Sequence, residues 1–256
     1  MTAAVRTEPM PAHQFPRIPF THLLRAEWHK TTGARAARWL LAAAALTTIA
    51  AQAIPLLFPH NVKQSSTSYL TWAGLGLSRL LPVVLILAMT AEWSQRTAMS
   101  TFTLEPRRGR VLTAKIVTGL GVSLLGTCCA LAVSQLVVAA ARAAGRDIAS
   151  GGSWPEIAGS VVFILLTGAT GIAFGALLHN TAAAIVTYFA LGAIFNLFTI
   201  PALEKAGRWV NTGETYGWVL NGEWSGHGAQ IAASAALWIV LPLTLGLVRT
   251  LRREVR

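Results

Sequence analysis

Leu70-Thr71-Trp72-Ala73-Gly74-Leu75-Gly76-Leu77-Ser78-Arg79-Leu80-Leu81-Pro82-Val83-Val84-Leu85-Ile86-Leu87-Ala88-Met89-Thr90-Ala91 is a run of 22 residues that contains a single charge, Arg79. At about 1.5 Å of rise per residue, a helix of this length crosses a hydrocarbon core roughly 30 Å thick. Five further stretches have the same character: Trp39 to Phe58, Thr113 to Ala141, Ile157 to Leu178, Ala182 to Ile200 and Ala229 to Val248. Lipid offers no hydrogen-bond partner to an exposed backbone amide, so such spans must close their own bonds as helices. The expectation is an all-α polytopic integral membrane protein with six transmembrane helices.

Composition agrees. Of 256 residues 54% are hydrophobic and 12% charged, and the mean hydropathy is +0.53; a soluble domain carries about 25% charge. An ordinary soluble enzyme, a disordered chain and a disulfide-rich module are therefore poor fits. The two cysteines, Cys128 and Cys129, are adjacent within an apolar run and read as small packing residues.

The chain carries 21 Lys and Arg against 10 Asp and Glu, a formal charge of +11. Fifteen of the basic residues fall in the N-terminal arm, the loop between the second and third spans, and the C-terminal tail; five fall on the opposite side, and Arg79 lies within a span. Acids divide evenly, so one side holds +10 of the +11. The positive-inside rule makes that side, with both termini, cytoplasmic. The excess then sets topology and meets anionic lipid, and it is no sign of nucleic acid.

Three parts follow: a cytoplasmic arm at 1–38, a six-span domain at 39–248 and a basic tail at 249–256. In the arm Phe20, Leu23, Leu24 and Trp28 recur at helical spacing, which predicts an interfacial helix at about Thr21 to Lys30, with a solvated basic arm as the alternative. Ala51-Gln52-Ala53 resembles a signal cleavage site, but the region before it is too long for an ordinary leader, so the first span is expected to stay. Pro201 to Gly228 interleaves Trp209, Tyr216, Trp218 and Trp224 with glycines, which predicts short helices dipping into the outer interface.

A charge at the centre of a span costs about 2.5–3.5 kcal/mol on insertion. Arg79 therefore lines a pathway, locks two helices together, or snorkels to the outer surface. Gly168, Gly171 and Gly175 form a close-packing face, used within one subunit or as a dimer seam. Gly119, Gly121 and Gly126, with Ser123 and Thr127, form another. Gln52, Gln135 and Asn196 are too few polar groups for a wet channel or a proton-coupled pump.

Catalytic equipment is sparse. No Lys follows a Gly, so there is no phosphate-cradling P-loop; the six histidines are scattered with no His-Glu-x-x-His, and Asp147 is the sole aspartate. No catalytic, cofactor-binding or metal-binding residue is assigned.

The remaining distinctive segment is Glu92-Trp93-Ser94-Gln95-Arg96-Thr97-Ala98-Met99-Ser100-Thr101-Phe102-Thr103-Leu104-Glu105-Pro106-Arg107-Arg108-Gly109-Arg110, followed shortly by Lys115. A short helix is expected from about Ser94 and must end before Pro106, because proline disfavours the helical conformation of its predecessor. A rigid charged element between two spans can pass movement from a soluble partner to the membrane helices. The alternative is a solvated loop that only sets topology.

This segment, with Glu92-Trp93, Arg96-Thr97, Phe102, Leu104, Pro106, the basic residues Arg107, Arg108 and Arg110, and Lys115, resembles the permease subunits of type-2 ATP-binding cassette (ABC) exporters, as does the six-span layout. Arg96 stands directly before Thr97, where that family usually has glycine. The resemblance implies a coupling helix within Glu92 to Arg110, docked on a separate ABC ATPase subunit, and re-entrant helices within Pro201 to Gly228. It also implies a second permease chain, a homodimer being expected, with ATP and Mg held by the partner and no cofactor on this chain. The protein would then be an exporter subunit in a bacterial cytoplasmic membrane, carrying a lipophilic or amphiphilic drug, antibiotic or lipid, and not itself an enzyme. Two other readings stay open. A membrane-embedded lipid-modifying enzyme would require clustered interfacial Asp, Glu or His, which the sequence lacks, whereas a non-transporting anchor or sensor subunit could use the same loop.

Overall fold

The Leu70–Ala91 run lies within one helix, and a computed structural model describing residues 18–105, 107–195 and 204–252 shows what surrounds it. Ten helices are present among these residues. They are α1 (Phe20–Gly33), α2 (Arg35–Leu57), α3 (Ser66–Ser94), α4 (Ala98–Leu104), α5 (Arg108–Ala143), α6 (Trp154–Leu178), α7 (Thr181–Phe195), α8 (Glu204–Val210), α9 (Thr212–Leu220) and α10 (Gly228–Arg252). The only β-type pairing among the described residues is an isolated bridge between Ser65 and Ala149. Helices α2, α3, α5, α6 and α10 are each long and apolar enough to cross a membrane.

The expected fifth span corresponds to α7, which has 15 residues, about 22 Å of helix and short of a full crossing. Residues 196–200, including Asn196, lie outside the described residues, as do Pro106 and Pro201. Most of the other expected boundaries move outward, the third span most, from Thr113 to Arg108, while the end at Phe58 recedes to Leu57 and the end at Leu178 holds. Hydropathy ends a span where charge begins, but the backbone ladder continues into the basic residues.

Helices α3 and α6 form the centre of the bundle. Leu77, Leu81, Leu85 and Met89 of α3 pack with Ile164, Ile172 and Ala176 of α6 in one buried cluster. The outer helices turn apolar side chains away from it, among them Leu46 and Ile49 on α2, Leu124, Leu125 and Leu136 on α5, and Leu241 and Leu245 on α10. Exposed apolar faces of this extent suit a lipid environment.

The glycine face of α6 turns into the same chain. A Cβ at Gly171 would stand 2.8 Å from the carbonyl oxygen of Pro82 and 3.0 Å from its Cα; one at Gly175 would stand 2.7 Å from Met89 Cβ, and one at Gly168 2.6 Å from Ser123 Oγ. These approaches bring α6 against α3, and at Gly168 against α5 as well. In the other expected glycine face a Cβ at Gly119 would meet Ile172, whereas one at Gly121 would have room.

Helix α10 contains a π-turn over Ala236–Val240. Within it, Trp238 Nε1 reaches across to donate to the Val210 carbonyl at 2.7 Å; beyond it, Gly246 lies against the backbone of Ala176 and Leu177. Both described chain ends lie at the α4 end of the bundle. There Arg110 Nη2 donates to the Ile18 carbonyl at 2.7 Å and Arg108 Nη1 to the Thr250 carbonyl at 3.0 Å.

Candidate functional site: the α4 end

The expected coupling helix is α4, shorter than the sequence predicts. Ser94 belongs to α3, and Arg96 separates the two helices by taking a left-handed backbone conformation, φ 57°. Thr97 N–H donates to the Glu92 carbonyl at 2.9 Å and Arg96 N–H to the Trp93 carbonyl at 3.4 Å, a Schellman ending. The position of the missing glycine is therefore the one where the chain goes left-handed, and an L-residue there costs about 1–2 kcal/mol.

Met99 and Leu104 of α4 are 54% and 75% exposed, and Ser100, Thr103 and Arg107 are exposed as well. Ala98 is buried and Phe102 turns inward. From Phe102 a closed circuit of contacts can be traced through five segments. The Phe102 ring lies 6.2 Å from that of Trp93, at the end of α3. Trp93 lies 4.4 Å from the ring of His179, just after α6. His179 Nε2 is 2.7 Å from Thr250 Oγ1 on α10. Because the Thr250 hydroxyl donates to the Gly246 carbonyl at 2.9 Å, its oxygen accepts from the imidazole N–H. Arg108 completes the circuit: it donates to the Thr250 carbonyl, and its guanidinium carbon lies 4.9 Å over the Phe102 ring, a cation–π contact. His179 also has a left-handed backbone, φ 52°. The α4 helix is thus attached to the ends of α3, α5, α6 and α10 together.

Beside this circuit lies a second assembly. Lys115 Nζ contacts Glu27 Oε2 and Glu92 Oε2 at 2.9 Å each and donates to the Ala88 carbonyl at 3.0 Å. Lys30 Nζ contacts the other oxygens of the same carboxylates, at 2.7 Å for Glu27 and 3.1 Å for Glu92. Side-chain exposure is 4% for Lys115, 5% for Glu27 and 6% for Glu92, against 46% for Lys30. Two cations and two carboxylates alternate in a neutral quartet joining α1, α3 and α5. Burial alone would lower the Lys30 pKa, but the hydrogen bonds and charges of Glu27 and Glu92 outweigh it and hold the ammonium above its ordinary value.

The site residues named from sequence therefore separate into different roles. Trp93, Phe102 and Arg108 meet in the circuit. Glu92 is buried in the quartet and is not available at the surface. Arg110 pairs with Glu105 at 2.8 Å while holding Ile18. Arg96 forms the turn, and Thr97 and Arg107 stay exposed. Three participants carry no reading from sequence, Glu27, His179 and Thr250, whereas Lys115 enters there only as part of the family resemblance. Glu27 has a visible signal, since the inward positions of α1 are 20, 23, 24, 27, 28, 31 and 32 and it lies on the apolar stripe. Among the described residues no group of three or more His, Cys, Asp and Glu is placed to hold a metal.

Arg79 lies far from this end, about 20 Å along α3 from either terminus. Its side chain is exposed, makes no hydrogen bond or ion pair among the described residues, and lines a cavity of about 580 Å³.

No protein-family model and no curated protein matches the chain. By helix length and hydropathy it is a multi-pass, all-α membrane protein with five helices able to cross a bilayer.

Proposed function

We propose that the chain is the permease subunit of a type-2 ABC exporter, working as a pair with a second permease copy and driven by a separate ATPase. The supporting observation is α4. It presents Met99 and Leu104 outward at the basic end of the bundle while its inner side is tied to four long helices. Exposed apolar side chains on a polar, non-lipid face fit a protein partner, and an element so attached transmits displacement where a loose loop would absorb it. In this reading α7 belongs to the fifth of six spans and α10 is the sixth, α8 and α9 are the outer re-entrant helices, and both termini are cytoplasmic. Closing of the ATPases on ATP would favour one of two packings of the permease pair.

Glu92 then acts indirectly: it holds α1 on the bundle and does not touch the partner. The test is affinity capture of the full-length chain in mild detergent from its own cells, with and without Met99→Asp/Leu104→Asp. The expected result is a stoichiometric P-loop ATPase with the wild type and its loss with the double variant. A correctly folded wild type that captures no P-loop protein overturns the proposal.

A further inference from the structure

The Arg79 cavity lies between α3, α6, α7, α9 and α10, on the side of α3's midpoint nearer to α9. Its volume of about 580 Å³ falls within the roughly 300–1,000 Å³ of small-molecule sites. Phe163, Phe174, Phe189 and Trp238 supply apolar wall. Two groups of greatest donor strength stand against this wall. The Arg79 guanidinium has no hydrogen-bond or ion-pair partner among the described residues, and neither does the Tyr188 hydroxyl. Of the hydroxyls, Ser78, Thr167 and Thr170 donate to carbonyls of their own helices, Tyr216 meets Thr170 at 3.1 Å, and Thr212 at the start of α9 makes no hydrogen bond among the described residues.

A guanidinium half-way along a membrane helix, with no partner among the described residues, gains most from an acceptor that enters the cavity. Its five N–H groups and the phenol offer donors only to an acceptor-rich group, and a fixed positive charge selects an anion over a neutral acceptor or a cation. We infer that this cavity binds an anionic amphiphile, its carboxylate or phosphate at Arg79 and Tyr188 and its apolar body against the aromatic wall. That this ligand is the cargo rests on the exporter reading; the binding site does not.

Binding is measured on the purified full-length chain without any ATPase, so its failure is separate from failure of ATPase capture. The probe is a medium-chain alkyl carboxylate bearing a dansyl group, read by energy transfer from tryptophan, beside its methyl ester and its trimethylammonium analogue. The carboxylate is expected to bind at least ten-fold tighter than either analogue. Arg79→Gln should remove that preference, Arg79→Lys should retain part of it, and Tyr188→Phe, which keeps the ring, should weaken the carboxylate several-fold. Nanodiscs of zwitterionic lipid with and without anionic lipid identify the source of the ligand. Lipid that lowers probe affinity makes the bilayer the supplier, whereas unchanged affinity makes it a separate solute, and both outcomes keep the anion site. Equal binding of all three probes, or an undiminished carboxylate preference in folded Arg79→Gln and Tyr188→Phe, overturns the inference.

Discussion

Replacing Lys115 with Met keeps an unbranched side chain of similar length in α5 and removes only the charge. It deletes the two 2.9 Å contacts to Glu27 and Glu92 and the 3.0 Å bond to Ala88. Two buried carboxylates then share Lys30, which is 46% exposed, so its compensation is screened to the scale of a surface pair, about 0–1 kcal/mol. Removing one partner of a buried ion pair costs about 3–5 kcal/mol. The cheapest relief is to let α1 lift, because that returns Glu27 to water while the five long helices stay packed. A cost of that size raises the open population of α1 by roughly a hundred- to several-thousand-fold, at about 1.4 kcal/mol per decade. Hydrogen–deuterium exchange of the full-length protein in detergent, read on residues 20–33, measures this directly. Lys115→Met/Glu27→Gln removes one charge of each sign and should recover most of the lost protection, with a coupling energy above about 1 kcal/mol. Exchange in Lys115→Met within three-fold of wild type, or strictly additive effects in the cycle, would refute the quartet as the clasp of α1.

Arg96→Gly should stabilise the α3–α4 turn by about 1 kcal/mol by removing the left-handed penalty, seen as a higher thermal midpoint; Arg96→Val should lower it. Gly171→Ala forces a methyl against the Pro82 carbonyl and Cα, at a cost of about 1–3 kcal/mol, whereas Gly121→Ala, with its nearest contact at 3.9 Å, should be close to neutral in the same melt. Thr250→Val removes the acceptor for His179 and should cost about 1 kcal/mol; amide exchange in α4, at the far side of the circuit, should rise with it, and exchange confined to α10 would count against a connected circuit.

The long helices were legible because a continuous apolar run depends only on its own composition. The quartet was not, because hydropathy treats a charge as the end of a span: Glu92 opens the expected coupling segment and Lys115 counts with the charges of the same loop, although both lie in the long helices α3 and α5. Glu27 was recoverable from periodicity alone. The pairing of His179 with Thr250, 71 positions apart, is purely tertiary, and so is the cavity that Arg79 lines. The absent glycine at Arg96 gave a local signal of the opposite kind, since the unusual residue marks the strained backbone itself.

The π-turn in α10 sets the phase between the two halves of that helix. Each residue of an α-helix advances about 100°, so a π-turn, with one residue more than an α-turn, offsets everything after Val240 from everything before Ala236. Trp238 faces Val210 and the cavity within this turn, while Gly246 meets Ala176 and Thr250 meets His179 beyond it. Closing Ala236–Val240 to α-geometry with every residue kept would leave a continuous α-helix of identical hydropathy, yet it would turn one end by about 100° relative to the other and the two could no longer both be in register. The cavity wall and the α4 circuit are therefore linked through one helix by a single inserted residue, and a turn at one end that tightened to α-geometry would rotate the contacts at the other.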